Sequence, residues 1–176
     1  MLPNHTSVYV LLLFAGMFPA PFARAQTIDS LGTFTNNPET TITSPFKSLN
    51  MLHAVAAGHK SSGTVDVAFT MVNQSTNTAN IMFNINPSLS KAADDLDSLY
   101  NISQVRLGDA RKDSSDQVYN IILRPGQSIH LGFYLLHVPL KVQYIQKMAI
   151  LLSLALDDMP QGAESIMLYN VKVTWR

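Results

Sequence analysis

The chain has 176 residues, 47% of them hydrophobic and 14% charged, with no cysteine and a formal net charge of zero. That composition excludes an intrinsically disordered chain, which needs low hydrophobicity and high net charge, and it excludes a disulfide scaffold. The even charge balance, with no basic stripe, excludes a nucleic-acid partner.

Val8 to Phe18 is an unbroken run of 11 apolar and small residues. It suits the core of a signal peptide and is too short to cross a bilayer, which takes roughly 20 apolar residues. Pro19 and Pro21 break any helix, and Ala23-Arg24-Ala25 supplies the small side chains that a signal peptidase accepts. Cleavage is expected between Ala25 and Gln26. The first seven residues carry no Lys or Arg, so an uncleaved apolar tail is the competing reading. Residues 1–25 are read as a signal peptide, 26–45 as an extended leader, and 46–176 as one domain. Losing Arg24 would leave the mature chain with one net negative charge. No later stretch is long and apolar enough for a membrane span, so a secreted or periplasmic product is expected.

The leader is rich in Thr, Asn, Ser and Pro, with one short strand expected at Thr40–Thr43. Leu49, Met51, His53 and Val55 alternate as a first strand, which puts His53 on the core face. Thr64–Asn73 is the clearest strand, with Val65, Val67, Phe69 and Met71 on one face. After the polar turn Gln74–Thr78, Ile81, Phe83 and Ile85 share a face, and the two segments read as a hairpin. Ser88–Asp97 tolerates one helical turn. Gln104–Leu107 is a short strand, Gly108–Gln117 a charged loop, and Val118–Leu123 a strand closed by Arg124-Pro125-Gly126. Ile129, Leu131, Phe133 and Leu135 alternate next, with His130 and Tyr134 on the opposite face. Met148–Leu156 is apolar on both faces and reads as a central strand. Asp157–Gly162 is a turn. The last strand places Met167, Tyr169, Val171, Val173 and Trp175 on one face. Seven or eight strands at turn spacings near ten residues, with no helices between them, predict an all-β fold, an antiparallel Ig-like β-sandwich.

The chemistry-bearing residues are sparse. The two S-x-x-K tetrads at Ser44–Lys47 and Ser88–Lys91 lack any K-T-G partner, and Pro45 forbids a helix at the first. Gly126–His130 has a histidine where a nucleophile elbow needs its second glycine. His130 and His137 are spaced to point to opposite faces of one strand, which makes no shared metal site. Asp94, Asp95 and Asp97 cluster before Tyr100 and are the candidate calcium ligands, because a loop of carboxylates supplies the oxygens that calcium takes. Their order is not that of an EF-hand, and a solvated loop is the plainer reading. His130 and Tyr134, outward on one strand, are the candidate binding residues. No cofactor motif is present, so no cofactor is expected.

Three segments resemble a loose group of exported bacterial Ig-like sandwich domains: Val65–Thr78 (VDVAFTMVNQSTNT), Ala93–Asp109 (ADDLDSLYNISQVRLGD) and Leu123–Pro139 (LRPGQSIHLGFYLLHVP). The terminal IMLYNVKVTW also fits, while Asp97-Ser98 replaces the usual Gly-Asn turn. The resemblance implies a fold and transfers no catalytic residue. The expected function is therefore a secreted, non-catalytic protein-interaction module with an unidentified protein partner, not an enzyme. A carbohydrate-binding accessory domain, with a glycan partner, is the alternative.

Overall fold

Every regular element described in the computed structural model is a β-strand. The description covers residues 39–113 and 118–176, with the side chains of 110–113 left aside, together with the backbone of two short strands further toward the N-terminus. The expected signal peptide and most of the expected leader lie outside the described residues. The strands are β1 (Thr27–Ile28), β2 (Phe34–Thr35), β3 (Thr41–Thr43), β4 (Leu49–His59), β5 (Thr64–Asn73), β6 (Ala79–Asn84), β7 (Lys91–Asp94), β8 (Leu99–Leu107), β9 (Ala110–Asp113), β10 (Val118–Leu123), β11 (Ser128–Leu135), β12 (Tyr144–Leu156) and β13 (Met159–Trp175). The chain divides into two units, Met1–Asn37 and Pro38–Arg176. In the first, β1 and β2 pair antiparallel. The second unit holds everything that follows.

Its strands close into a barrel of seven, β12-β7-β8-β11-β5-β4-β13, with β13 returning to β12. An open antiparallel sandwich had been the expectation, and two strands account for the difference. The start of β8 pairs with β7 and its remainder with β11. The long β13 pairs with β12 up to Lys172, and its last residues run parallel to β4, Val173 opposite Ala56. Each strand thus serves both sides of the core. Strands β6 and β7 lie end to end along one edge of β12, and β10 extends that sheet beyond β6.

Alternation within strands is set by burial, and it breaks where the backbone turns left-handed. In β4 the register shifts between Leu52 and Val55, with His53 at φ 57°, so His53 and Val55 are exposed and Ala56 takes the core position. In β13, Asn170 has φ 54°; Ile166 and Leu168 are buried before it, Val171 and Val173 after it. The expected core roles of His53, Met167 and Tyr169 are corrected at these two left-handed residues: at His53 an extra residue in β4 shifts the pairing with β5, and at Asn170 the facing inverts while the pairing with β12 keeps its register, Tyr169 opposite Lys147 and Val171 opposite Ile145. The expected hairpin of β5 with β6 does not form: β5 pairs with β4 and β11, while β6 pairs with β10 and β12. The polar turn Gln74–Thr78 crosses the barrel instead. The segment read as helix-tolerant holds β7, and the charged loop holds β9, paired with β8.

The core is apolar and closely knit. Phe133 stacks on Phe69 with ring centroids 5.7 Å apart and meets Phe83 edge-on at 6.2 Å, joining the β5–β11 side to the β6–β12 side. Asp157 and Asp158, both at positive φ, form the two-residue turn between β12 and β13, as a tight hairpin requires.

Candidate functional site

Asp94 is fully buried, and its carboxylate is saturated by the protein. Oδ1 accepts from the N–H groups of Leu96 (2.8 Å) and Ser98 (2.9 Å), and Oδ2 from the Tyr100 hydroxyl (2.6 Å). Burial raises its pKa, but the bonds from Tyr100, Ser98 and Leu96 outweigh that and hold it below the ordinary value. Tyr100, buried and facing that carboxylate, is pushed up to about 12. Asp95 turns the other way and accepts from the Gln143 N–H at 3.3 Å, while Asp97 sits exposed in the turn at φ 63°. Among the described residues no three His, Cys, Asp or Glu side chains come together as a metal site. The acidic cluster is a turn organised by one buried carboxylate, in keeping with acceptors that bond local backbone N–H groups.

His130 and Tyr134 share the outer face of β11, as the alternation predicts. His130 is exposed and its Nδ1 shares a hydrogen bond with Thr70 Oγ1 at 2.8 Å. Tyr134 is only 5% exposed, so its ring offers no open platform. Beside it, Arg106 Nη2 donates to Asp66 Oδ2 at 3.1 Å. Burial works against the Arg106 charge, but its hydrogen bond with Tyr134 and the nearby Asp66 charge raise its pKa on balance. The ion pair arches over Gly132, where a Cβ would stand 2.8 Å from Asp66 Oδ1 and 2.9 Å from Arg106 Nη2. A shallow depression of about 310 Å³, lined by His59, Ser62, Thr64, Gln104, Tyr134 and Leu136, adjoins this face.

A different feature was not singled out from the sequence. β10 ends the sheet, paired with β6 alone among the described strands. Tyr119, Ile121 and Leu123 are buried, whereas Val118 (45% exposed), Asn120 and Ile122 (66% exposed) form an outward stripe. On the side that no described strand pairs, every second residue turns its N–H and C=O away from β6. Edges are ordinarily blunted by charge, proline, bulges or shortness. The other described edges carry such protection: β3 has three residues, β9 reads Ala-Arg-Lys-Asp, and the free start of β13 holds Pro160, a register shift near Gly162 and Glu164. VYNIIL in β10 has no charge, no proline and no bulge. A second depression, of about 290 Å³, lies at the Ile122 end, lined by Thr78, Asn80, Ile122, Asp157 and Asp158. The signal was available in the sequence as an uncharged alternating run, but alternation does not say which strand lacks a neighbour.

No family model matches the chain. No curated protein matches it either. Among solved structures it is similar to the CooA pilin subunit from enterotoxigenic Escherichia coli, at 6% identity and TM-score 0.35, covering 73% of this chain and 97% of the pilin. It is similar to the periplasmic chaperone SfaE at 5% identity and TM-score 0.31, covering 73% of this chain and 56% of the chaperone. A third is the Pseudomonas fluorescens alkylpurine DNA glycosylase AlkC bound to DNA containing an abasic site analogue, at 5% identity and TM-score 0.29. That match covers 72% of this chain and 30% of the glycosylase, so the chain spans less than a third of that relative. At these scores the likenesses carry no argument about function.

Proposed function

We propose that the chain is an exported, non-catalytic protein-interaction module that takes up an extended segment of a partner protein along the free edge of β10. The observation that carries this is the unprotected edge itself: a run of six uncharged residues whose outer side no described strand pairs, with the exposed Val118 and Ile122 along it. Strand addition gains affinity from main-chain hydrogen bonds and specificity from alternate side-chain contacts, and this edge offers both. Export rests on the apolar Val8–Phe18 run and the Ala-Arg-Ala junction. A glycan-binding reading is less well supported, because it needs presented aromatic faces and Tyr134 is largely covered.

The test is a capture experiment from the exported fraction, comparing wild type with the double variant Val118→Lys/Ile122→Lys. Both substitutions fall on exposed positions, so the thermal midpoint should hold. The partner should be recovered stoichiometrically with wild type and reduced by about tenfold or more with the variant, a loss of roughly 1.4 kcal/mol in binding. Equal recovery by both would remove β10 from the account.

A further inference from the structure

We infer that the partner strand at β10 is β10 of a second copy of this chain, the two strands pairing antiparallel about a two-fold axis through Asn120. This rests on the reading of β10 as an open binding edge and goes further by naming the occupant.

The argument is one of self-complementarity. A two-fold axis perpendicular to the sheet keeps the outward face outward in both copies, so residues that oppose each other must share a face. Registers centred between two residues set buried positions against exposed ones and are excluded, because a one-residue slip moves every side chain to the other face. Of the registers that remain, the one centred on Asn120 sets Val118 of each copy opposite Ile122 of the other and Asn120 opposite itself. The exposed apolar pair is thereby matched on both sides, and the two amides face each other as donor and acceptor. Centring on Ile121 would oppose Asn120 to Ile122, and centring on Tyr119 would oppose Val118 to Asn120. Neither matches apolar to apolar. The strand carries no charge and the chain no net charge, so nothing electrostatic holds two copies apart. The join would continue the β10-β6-β12-β13 sheet into its symmetry mate and close the one described edge that lacks its own protection.

The geometry makes a register-specific test available, because the chain contains no cysteine. Opposed Cα atoms in an antiparallel pair lie about 4.5–5.5 Å apart, within the span that a disulfide bridges. The full chain, purified as the cell processes it, should sediment with a dimer fraction that rises with concentration. Asn120→Cys should cross-link to a covalent dimer on mild oxidation. Val118→Cys should not, since its counterpart lies four residues along the strand, about 13 Å away. Val118→Lys alone and Ile122→Glu alone should each shift the chain to monomer. The two together in one chain should restore the dimer, because the introduced lysine of each copy then faces the introduced glutamate of the other. Unchanged emission from the single tryptophan, Trp175, serves as the check that each variant is folded.

A wild-type chain that stays monomeric, or a dimer indifferent to these substitutions, overturns the self-pairing. The wider reading is judged separately: capture of another protein that is lost in Val118→Lys/Ile122→Lys would keep β10 as the binding edge with a different occupant. Capture that survives that variant would overturn both.

Discussion

Among the described residues three polar side chains are fully buried, Asn73, Ser90 and Asp94, and each sits where the ladder breaks. Asn73 donates from Nδ2 to the carbonyls of Asn77 (2.8 Å) and Leu123 (2.9 Å) and accepts at Oδ1 from the N–H and hydroxyl of Ser75. It thereby ties the crossing turn after β5 to the end of β10. Asn73→Ala removes the side-chain donor to the Leu123 carbonyl, while the Asn77 carbonyl keeps the Ser75 hydroxyl, and should cost about 1–3 kcal/mol, read by denaturant unfolding. Ser90 accepts from the Leu151 N–H at 3.0 Å and donates to the Asn84 carbonyl, filling the gap in the edge of β12 between β6 and β7. Asp94 couples stability to pH at both extremes. Its pKa is lowered on folding, so its contribution is present above the ordinary carboxylate value and is lost as pH falls through the lowered one. Tyr100 is raised to about 12, so its contribution is intact below its ordinary value near 10 and is lost as pH rises toward 12. Asp94→Asn should remove the acid limb of the stability–pH profile measured by chemical unfolding and reduce the alkaline one, where the burial of Tyr100 persists. A profile unchanged in either limb would contradict the assignment.

At the scale of elements, the strands themselves were legible because burial imposes a period of two on an extended chain. Thr64–Asn73 and Val118–Leu123 coincide with β5 and β10. What escaped was local geometry and pairing. His53 and Asn170 adopt left-handed backbone without being glycine, and nothing in an alternating pattern announces such an inversion of facing in advance. The Gln74–Thr78 turn looked like a hairpin turn because turn residues mark a reversal without naming the strand that follows it as a neighbour. The burial of Asp94 escaped for a comparable reason: the sequence displays a run of acidic residues, read as a solvated loop with calcium as the lesser reading, but not the three protein donors that meet Asp94. Packing between elements supplies a further prediction. A Cβ at Gly58 would run into the Trp175 ring, which is pinned by its Nε1–H bond to the Val142 carbonyl at 2.8 Å. Gly58→Ala should destabilise by about 1–3 kcal/mol and shift tryptophan emission, because the parallel join of β13 to β4 depends on that close approach.

For the molecule as a whole, closing seven strands removes most of the edges that an open sheet would expose. Among the described strands, the edges that remain are short, charged or irregular, except for β10. That contrast, more than any cluster of reactive side chains, points to binding. The polar face around Asp66, Arg106 and Tyr134 carries its own ion pair and hydrogen bonds, with Asp66 Oδ1 left buried and unpaired, and His130 is engaged by Thr70. The most direct measurement is amide hydrogen exchange, mapped residue by residue with the binding edge free and then occupied. The account predicts slower exchange at alternate amides of residues 118–123, those turned away from β6, with little change at Gln104, Arg106 and His130. Protection that gathers on the polar face and spares β10 would contradict it.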